Sequence, residues 1–269
     1  MKLLVAGAAE VDAGKTTFST GLIDRTGARG FKPRAGNDYW YDHDDYRRAV
    51  ADGRLYGKDA ERLAAVSPGE LRPEEINPIH RLWLPRPGSG QGVLGRDGRS
   101  FVVDRVRTPD GEDRYVHNGS IEIPPTARRR LPLETARGVD SLPAFNELMA
   151  ELHAPATAAL GDVIADRDAA VVESYADIAR PLPDFEPDAV AVVDPRRCRI
   201  YGGERYAKAC EVAGGSAHEG QLEERVEHVI ELLDPIDRLT LPALTSDERD
   251  DPAVVAEAYA DAYDALLAA

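Results

Sequence analysis

The chain has 269 residues, with 48 Asp and Glu against 33 Lys and Arg and a formal net charge of -15. An acidic surface of this kind excludes general nucleic-acid binding, which needs a positive face. No apolar run reaches the length of a membrane span, and the cysteines, Cys198 and Cys210, are too few and too far apart for a disulfide framework or a zinc ribbon.

In chain order, "MKLLVAG" reads as a buried strand. It is too short for a signal peptide. "AAEVDAGKTT", from Ala8 to Thr17, follows. Gly14-Lys15-Thr16 is the core of the Walker A pattern G-x-x-x-x-G-K-[ST], with Ala9 at the first glycine position and Gly7 too early to fill it. Phe18, Leu22 and Ile23 then recur at helical spacing until Gly27 and Gly30. Strand, loop and helix in this order predict a phosphate cradle formed by Glu10, Val11, Asp12, Ala13, Gly14, Lys15, Thr16 and Thr17. The helix start offers unpaired N–H groups and partial positive charge, and Gly14 lets the backbone curl toward phosphate oxygens. Lys15 supplies a mobile cation and Thr16 a hydroxyl for Mg2+.

"FKP" reads as a second strand ending at Pro33, and "DYWYDHDDYRRAVADG" as a loop running into a helix that stops by Gly53. "KDAERLAAVS" is a helix closed by Pro68. The proline-rich stretch 68–88 reads as irregular, with a short strand at "RLWLP". From about 88 to 125 the texture changes: a glycine-rich loop precedes "SFVVDRVRT" and "RYVHNGSIEI", which predict a β-hairpin inserted in the parent fold. "LPAFNELMAELHAPATAALGDVIADRD" is helical. "AAVVES" (169–174) and "DAVAVVD" (188–194) are runs of buried parallel-strand type, and "CRIYGG" is a third short strand. Helices at 203–213 and 221–234, a strand at "DRLTLPAL" and an alanine-rich C-terminal helix opened by Asp-Asp-Pro complete the chain.

The expectation is an α/β fold of three layers: one domain, 1–269, with a mostly parallel sheet, helices on both faces and an insertion near 88–125. Ligands in such sheets bind beyond the carboxyl ends of the strands. Those ends deliver the phosphate loop, then Lys32 with Asp38, Asp42, Asp44 and Asp45 after it, then Glu173, then Asp194. Asp38, Asp42 and Asp45 share a side at helical spacing with Tyr39, His43 and Tyr46 beside them, either as part of an active site or as a solvated face. Asp194 either reads a purine, which would favour GTP, or is an ordinary Asp-Pro turn. The histidines at 80, 117, 153, 218 and 228 lack metal-ligand spacing.

Ala9-Glu10-Val11-Asp12-Ala13-Gly14-Lys15-Thr16 resembles the phosphate loop of the dethiobiotin synthetase-like P-loop NTPases, the MinD/dethiobiotin synthetase class. Glu10 and Asp12 match that family's two loop acids, while Ala9 and Val11 replace its threonines. "GFKP" (30–33) and "VVES" (171–174) resemble its lysine-proline and valine-glutamate strand ends, in the same order. The resemblance implies that Lys15 and Lys32 hold phosphate oxygens and developing charge. It also implies that Thr16 and Glu173 ligate Mg2+, with Asp38 or Asp42 as a further metal ligand. The family's glycine pair after the glutamate is absent: Ser174-Tyr175-Ala176-Asp177 stands there. Arg34-Ala35-Gly36-Asn37 replaces its hydroxyl-bearing turn, so the acceptor pocket is rebuilt.

The functional expectation is therefore a Mg2+-dependent P-loop protein that hydrolyses ATP or GTP. A carboxylate-activating ligase and a nucleotide-dependent switch are the alternatives. A pocket of Arg34, Tyr39, Trp40 and His43 would suit a small-molecule acceptor, and the 90–125 surface a protein partner. A homodimer is compatible with this reading. Lysine stands only at positions 2, 15, 32, 58 and 208, and such lysine-poor acidity fits a soluble, cytoplasmic protein adapted to high salt.

Overall fold

The structure, a computed structural model, describes residues 1–8, 14–85, 95–96, 98–214 and 224–269. Contacts divide the chain into two compact units, Met1–Pro33 with Arg62–Leu71 and Gly161–Ala269, and Arg34–Glu61 with Arg72–Leu160.

The first unit opens with β1 (Lys2–Ala6), buried from Leu3 onward. α1 (Lys15–Thr26) and β2 (Arg29–Phe31) follow. The second unit then begins, earlier than the hydrophobic pattern indicates, with β3 (Arg34–Asp38). After it come α2 (His43–Ala51), α3 (Lys58–Val66), which crosses the boundary between units, and α4 (Pro73–Ile76). β4 (Ile79–Pro85), β5 (Gly95–Arg96), β6 (Arg99–Arg107), β7 (Asp113–Asn118), α5 (Pro125–Arg130) and β8 (Arg137–Val139) complete its sheet side. One helical stretch follows, α6 (Leu142–Leu148) and α7 (Ala154–Ala165) joined by the π-helical residues Met149–His153.

The chain returns to the first unit with β9 (Ala170–Glu173), β10 (Ala189–Asp194) and β11 (Arg197–Gly202). Then come α8 (Gly203–Gly214), α9 (Val226–Ile230), β12 (Asp237–Thr240), α10 (Ser246–Asp250), α11 (Pro252–Ala258) and α12 (Ala260–Leu267). The expected C-terminal helix is thus two helices, α11 and α12, preceded by the short α10. Asp251 restarts the chain as a cap, its Oδ1 accepting from Ala253 N at 3.0 Å, with Pro252 in the first helical turn.

The sheet of the first unit has the order β12-β11-β10-β1-β9-β2. β2, β9, β1 and β10 are parallel neighbours, and β11 and β12 add on antiparallel. Helices cover both faces. Tyr206 of α8 lies against Tyr201 of β11, ring centroids 6.0 Å apart, and Tyr263 of α12 lies near Cys198 of the same strand. Residues three apart on a strand point to opposite faces, so α8 and α12 lie on opposite sides. Tyr263 also packs edge-on against Phe18, and its hydroxyl donates to Phe18 O at 2.9 Å, tying α12 to α1.

The sheet of the second unit runs β3-β4-β6-β7-β8, with β5 on β6. It is mixed: β3–β4 and β7–β8 are parallel, β4–β6, β5–β6 and β6–β7 antiparallel. This corrects the expected architecture in two respects. There are two sheets, and only the first is mostly parallel. The segments expected as an inserted hairpin lie in the interior of a wider sheet, because β4 and β8 hydrogen-bond to their outer edges. Of the expected loop "GSGQGVLGRDG" (88–98), residues 88–94 and 97 lie outside the described residues.

Candidate active site

The parallel strands bring their carboxyl ends to one edge of the first unit's sheet. Val5 pairs with Glu173 and Ala6 with Val192. Phe31 pairs with Val172, so Lys32, the next residue, stands beside Glu173. The positions that the sequence places at strand ends thus meet because register brings them level.

Of the phosphate cradle, Glu10, Val11, Asp12 and Ala13 lie outside the described residues. Gly14 does not. Its φ of 84° is left-handed, and it stands just before α1. An added Cβ would come only within 4.0 Å of Val193, so the demand for glycine is conformational, not steric. The helix then begins with Lys15, Thr16 and Thr17, whose N–H groups belong to the turn that has no intrahelical acceptors.

Glu173 is the centre of the arrangement. Its side chain is wholly buried, and Lys32, 5% exposed, forms an ion pair with its Oε1. The same oxygen accepts from Thr16 Oγ1 at 2.9 Å. Oε2 is buried and has no hydrogen-bond partner among the described residues. A buried carboxylate oxygen without a donor costs free energy, so it marks a place where a donor, water or cation belongs. Lys15 Nζ donates to Ala176 O at 2.6 Å. Ala176 has a φ of 45°, the left-handed region that alanine disfavours. Ser174 braces this loop by donating its hydroxyl to Ile178 O, and its own N–H bonds Val5 O at 2.9 Å. Sequence names Ser174 and Ala176 only as members of the run that stands in place of the family's glycine pair, with no role for either. No glycine flags the backbone conformation, and a serine after a strand is commonplace.

The remaining expected site residues fall elsewhere. Asp194 ends β10, but its Oδ2 accepts from Arg197 at 3.0 Å and Arg199 at 2.6 Å, so its charge is held inside the β10–β11 turn. Asp38 and Asp42 belong to the second unit. Asp38 Oδ1 caps the next turn by accepting from the N–H groups of Trp40 and Tyr41 at 2.8 and 3.1 Å. Asp42 Oδ2 accepts from Asp38 N at 2.7 Å. These two acids are turn-forming groups and are not gathered with Thr16 and Glu173 inside one unit. Among the described residues no three His, Cys, Asp or Glu side chains group as a metal site. Thr16 Oγ1 and the bare Glu173 Oε2 are nevertheless hard oxygen donors of the kind Mg2+ takes. Of the expected acceptor pocket, Tyr39 packs edge-on and His43 tilted against Tyr46, centroids 4.9 and 5.7 Å from it, while Trp40 stands 73% exposed.

Other chemistry-bearing groups are closed. Burial pushes the Cys198 and Cys210 thiols up to about 12, which leaves them un-ionised and inert. In the second unit Arg81 clasps Asp104 in bidentate fashion at 2.7 and 2.6 Å, and His153 Nε2 lies 3.2 Å from Asp104 Oδ2. A cavity of about 450 Å³ there is walled partly by Arg137 and Glu151, which pair with each other, and by Asp113, which pairs with Arg105 and Arg107.

No protein-family model, curated protein or solved structure matches the chain. No described helix is long and apolar enough to cross a membrane.

Proposed function

We propose that the first unit is a P-loop nucleoside-triphosphatase of dethiobiotin synthetase-like type, dependent on Mg2+ and hydrolysing ATP or GTP. One observation carries the reading. Glu173, buried at a strand end, takes a hydroxyl from Thr16 and an ammonium from Lys32 on one oxygen and keeps the other bare, at the N-terminus of a helix entered through a left-handed glycine.

The roles follow from placement. The N–H groups of the first turn of α1 and the Lys15 ammonium would neutralise the β- and γ-phosphates. Lys32 shares Glu173 Oε1 with Thr16 and would hold charge as it moves toward the leaving or attacking oxygen. Thr16 Oγ1 and Glu173 Oε2 would hold Mg2+, which would supply positive charge to the phosphates. Phosphoryl transfer asks the protein for positioning and electrostatics more than for covalent chemistry, and this set supplies both. The acidic, lysine-poor composition and the lack of a described membrane-spanning helix suit a cytoplasmic setting of high salt.

The test is calorimetric binding and steady-state phosphate release with ATP and with GTP, each with Mg2+ or EDTA, alone and with a panel of carboxylate acceptors. Saturable, Mg2+-dependent binding that Lys15→Ala abolishes is expected. A folded wild-type chain that binds neither nucleotide overturns the reading.

A further inference from the structure

We propose that the loop 174–180 is a nucleotide sensor: Lys15 holds it in a strained conformation through the Ala176 carbonyl, and phosphate binding withdraws Lys15 and loosens the loop together with the segment 224–230 bonded to it. This inference rests on the nucleotide reading above and deepens it.

Three observations support it. First, Lys15 Nζ donates to Ala176 O at 2.6 Å, yet the same ammonium is the group that a phosphate at α1 would engage. One compact ammonium moved onto phosphate oxygens cannot keep its geometry at that carbonyl. Second, Ala176 is one of two non-glycine residues with positive φ among those described, at 45°. A left-handed alanine persists only while its surroundings hold it there, so the loss of the Lys15 contact frees it to relax. Third, the loop is laced to a distant stretch of chain by paired backbone bonds. Ala179 N donates to Glu224 O at 2.8 Å and Val226 N to Asp177 O at 2.7 Å, and Ile178 and Arg225 form an antiparallel bridge. Arg225 adds an ion pair to Asp177 at 3.3 Å, and Arg180 one to Glu224 at 3.4 Å. Val226 begins α9, so a shift of 176–178 acts directly on the first turn of that helix. Lys15, the strained carbonyl and the laced segment thus form one continuous path with two arrangements, set by whether Lys15 bonds protein or phosphate.

Amide hydrogen exchange on the full chain tests this, alongside calorimetry with the Mg2+ complex of a non-hydrolysable ATP analogue and of its GTP counterpart. The bound state is expected to exchange the Ala179 and Val226 amides about tenfold faster, the order of one hydrogen bond lost from each. Lys15→Ala should show the same acceleration with no nucleotide present, because it removes the holder itself. Arg225→Ala should bind nucleotide as the parent does and keep the response at 175–178, while its 224–230 amides are already fast and respond little. Nucleotide binding with unchanged exchange at Ala179 and Val226 overturns the sensor and leaves the nucleotide reading intact. Unaltered exchange in Lys15→Ala overturns it as well. A wild-type chain that binds no nucleotide removes both.

Discussion

Among the described residues three carboxylates are wholly buried, Glu74, Asp104 and Glu173, and the last two have opposite characters. Asp104 lies within β6 with both oxygens engaged, Oδ1 by Arg81 Nε and Oδ2 by Arg81 Nη2, with His153 Nε2 close by. The Arg81 guanidinium sits over Trp83, Phe101 and Phe145 at 5.0 to 5.2 Å from their centroids. Every face of this charge is matched by an opposite charge or a ring quadrupole. Glu173 ends β9, uses one oxygen twice and leaves the other bare, and is followed closely by a strained alanine. A saturated cluster stabilises one structure. An unsaturated one at a strand end is built to receive something. Neither burial nor an unmet oxygen is enough by itself, since Glu74, wholly buried in α4 with Arg54 on Oε1, also leaves Oε2 without a hydrogen-bond partner among the described residues; Glu173 differs in standing at a parallel-strand end beside the first turn of α1.

The widest gap between the two clusters should appear when each loses its cation. Lys32→Ala is expected to lower turnover per folded molecule by roughly 10²-fold or more, the low end for loss of an aimed charge-stabilising group. Arg81→Ala should leave turnover per folded molecule unchanged and cost roughly 3–5 kcal/mol of stability, because Asp104 is left buried and uncompensated. Lys32→Ala strands Glu173 too, so its melting point should also fall. Kinetics normalised to folded protein separate the two effects. Equal loss of turnover in both variants would erase the distinction.

Glu173→Gln sharpens it from the acid side. It keeps shape and burial and removes the charge that would hold Mg2+. Nucleotide binding measured in EDTA should persist, while the gain in affinity and turnover on adding Mg2+ should vanish. Parent-like Mg2+ dependence would make Glu173 a structural partner of Lys32 and nothing more.

What was legible follows from the same physics. β1, β9 and β10 are apolar runs because parallel strands are buried on both faces, and the last residue of β9, Glu173, is the centre of the arrangement with Thr16 and Lys32. β3 was hidden, for its sequence is Arg-Ala-Gly-Asn-Asp, its most buried residues are Asn37 and Asp38, and Gly36 is needed where a Cβ would fall 2.8 Å from Arg81 O. With β3 hidden, sequence sets only the stretch 88–125 apart from the parent fold, whereas the second unit runs over Arg34–Glu61 and Arg72–Leu160. The Arg81–Asp104–His153 cluster was hidden as well, since its members come from two strands and a π-helical turn and have no common spacing.

The closed cluster should also set a pH dependence that the open one does not. Burial lowers the His153 pKa from 6.5, with Asp104 partly opposing, so the folded state holds the ring neutral. For Asp104 burial acts upward, but Arg81 and then His153 outweigh it and hold its carboxyl well below the usual carboxylate range. Both folded values are depressed, so in both windows the unfolded chain binds more protons and stability falls as pH falls. His153 contributes first, from about pH 6.5 downward, and Asp104 only below about pH 4. Urea midpoints from pH 7 to 5 should decline, and His153→Gln should flatten that decline, by at most about 1.4 kcal/mol per pH unit for one proton. A slope identical to the parent's would show that His153 is already compensated.

The smallest expected effect tests the strain beside Glu173. Ala176 holds a φ of 45° where glycine would be unstrained. A left-handed alanine costs roughly 1–2 kcal/mol relative to its preferred region, whereas glycine loses somewhat more chain entropy on folding, about 0.5–1 kcal/mol. The two terms oppose each other, and the conformational penalty is the larger. Ala176→Gly should therefore stabilise the folded chain by about 0.5–1 kcal/mol, which for a protein of this size is a rise of roughly 1–4 °C in Tm. The sign is informative, because glycine in place of alanine normally destabilises. A fall in Tm would mean that the Lys15 and Ser174 contacts make the left-handed state costless, and that the loop after Glu173 stores nothing. A rise would place the strain at a loop that touches both Lys15 and the buried glutamate's strand.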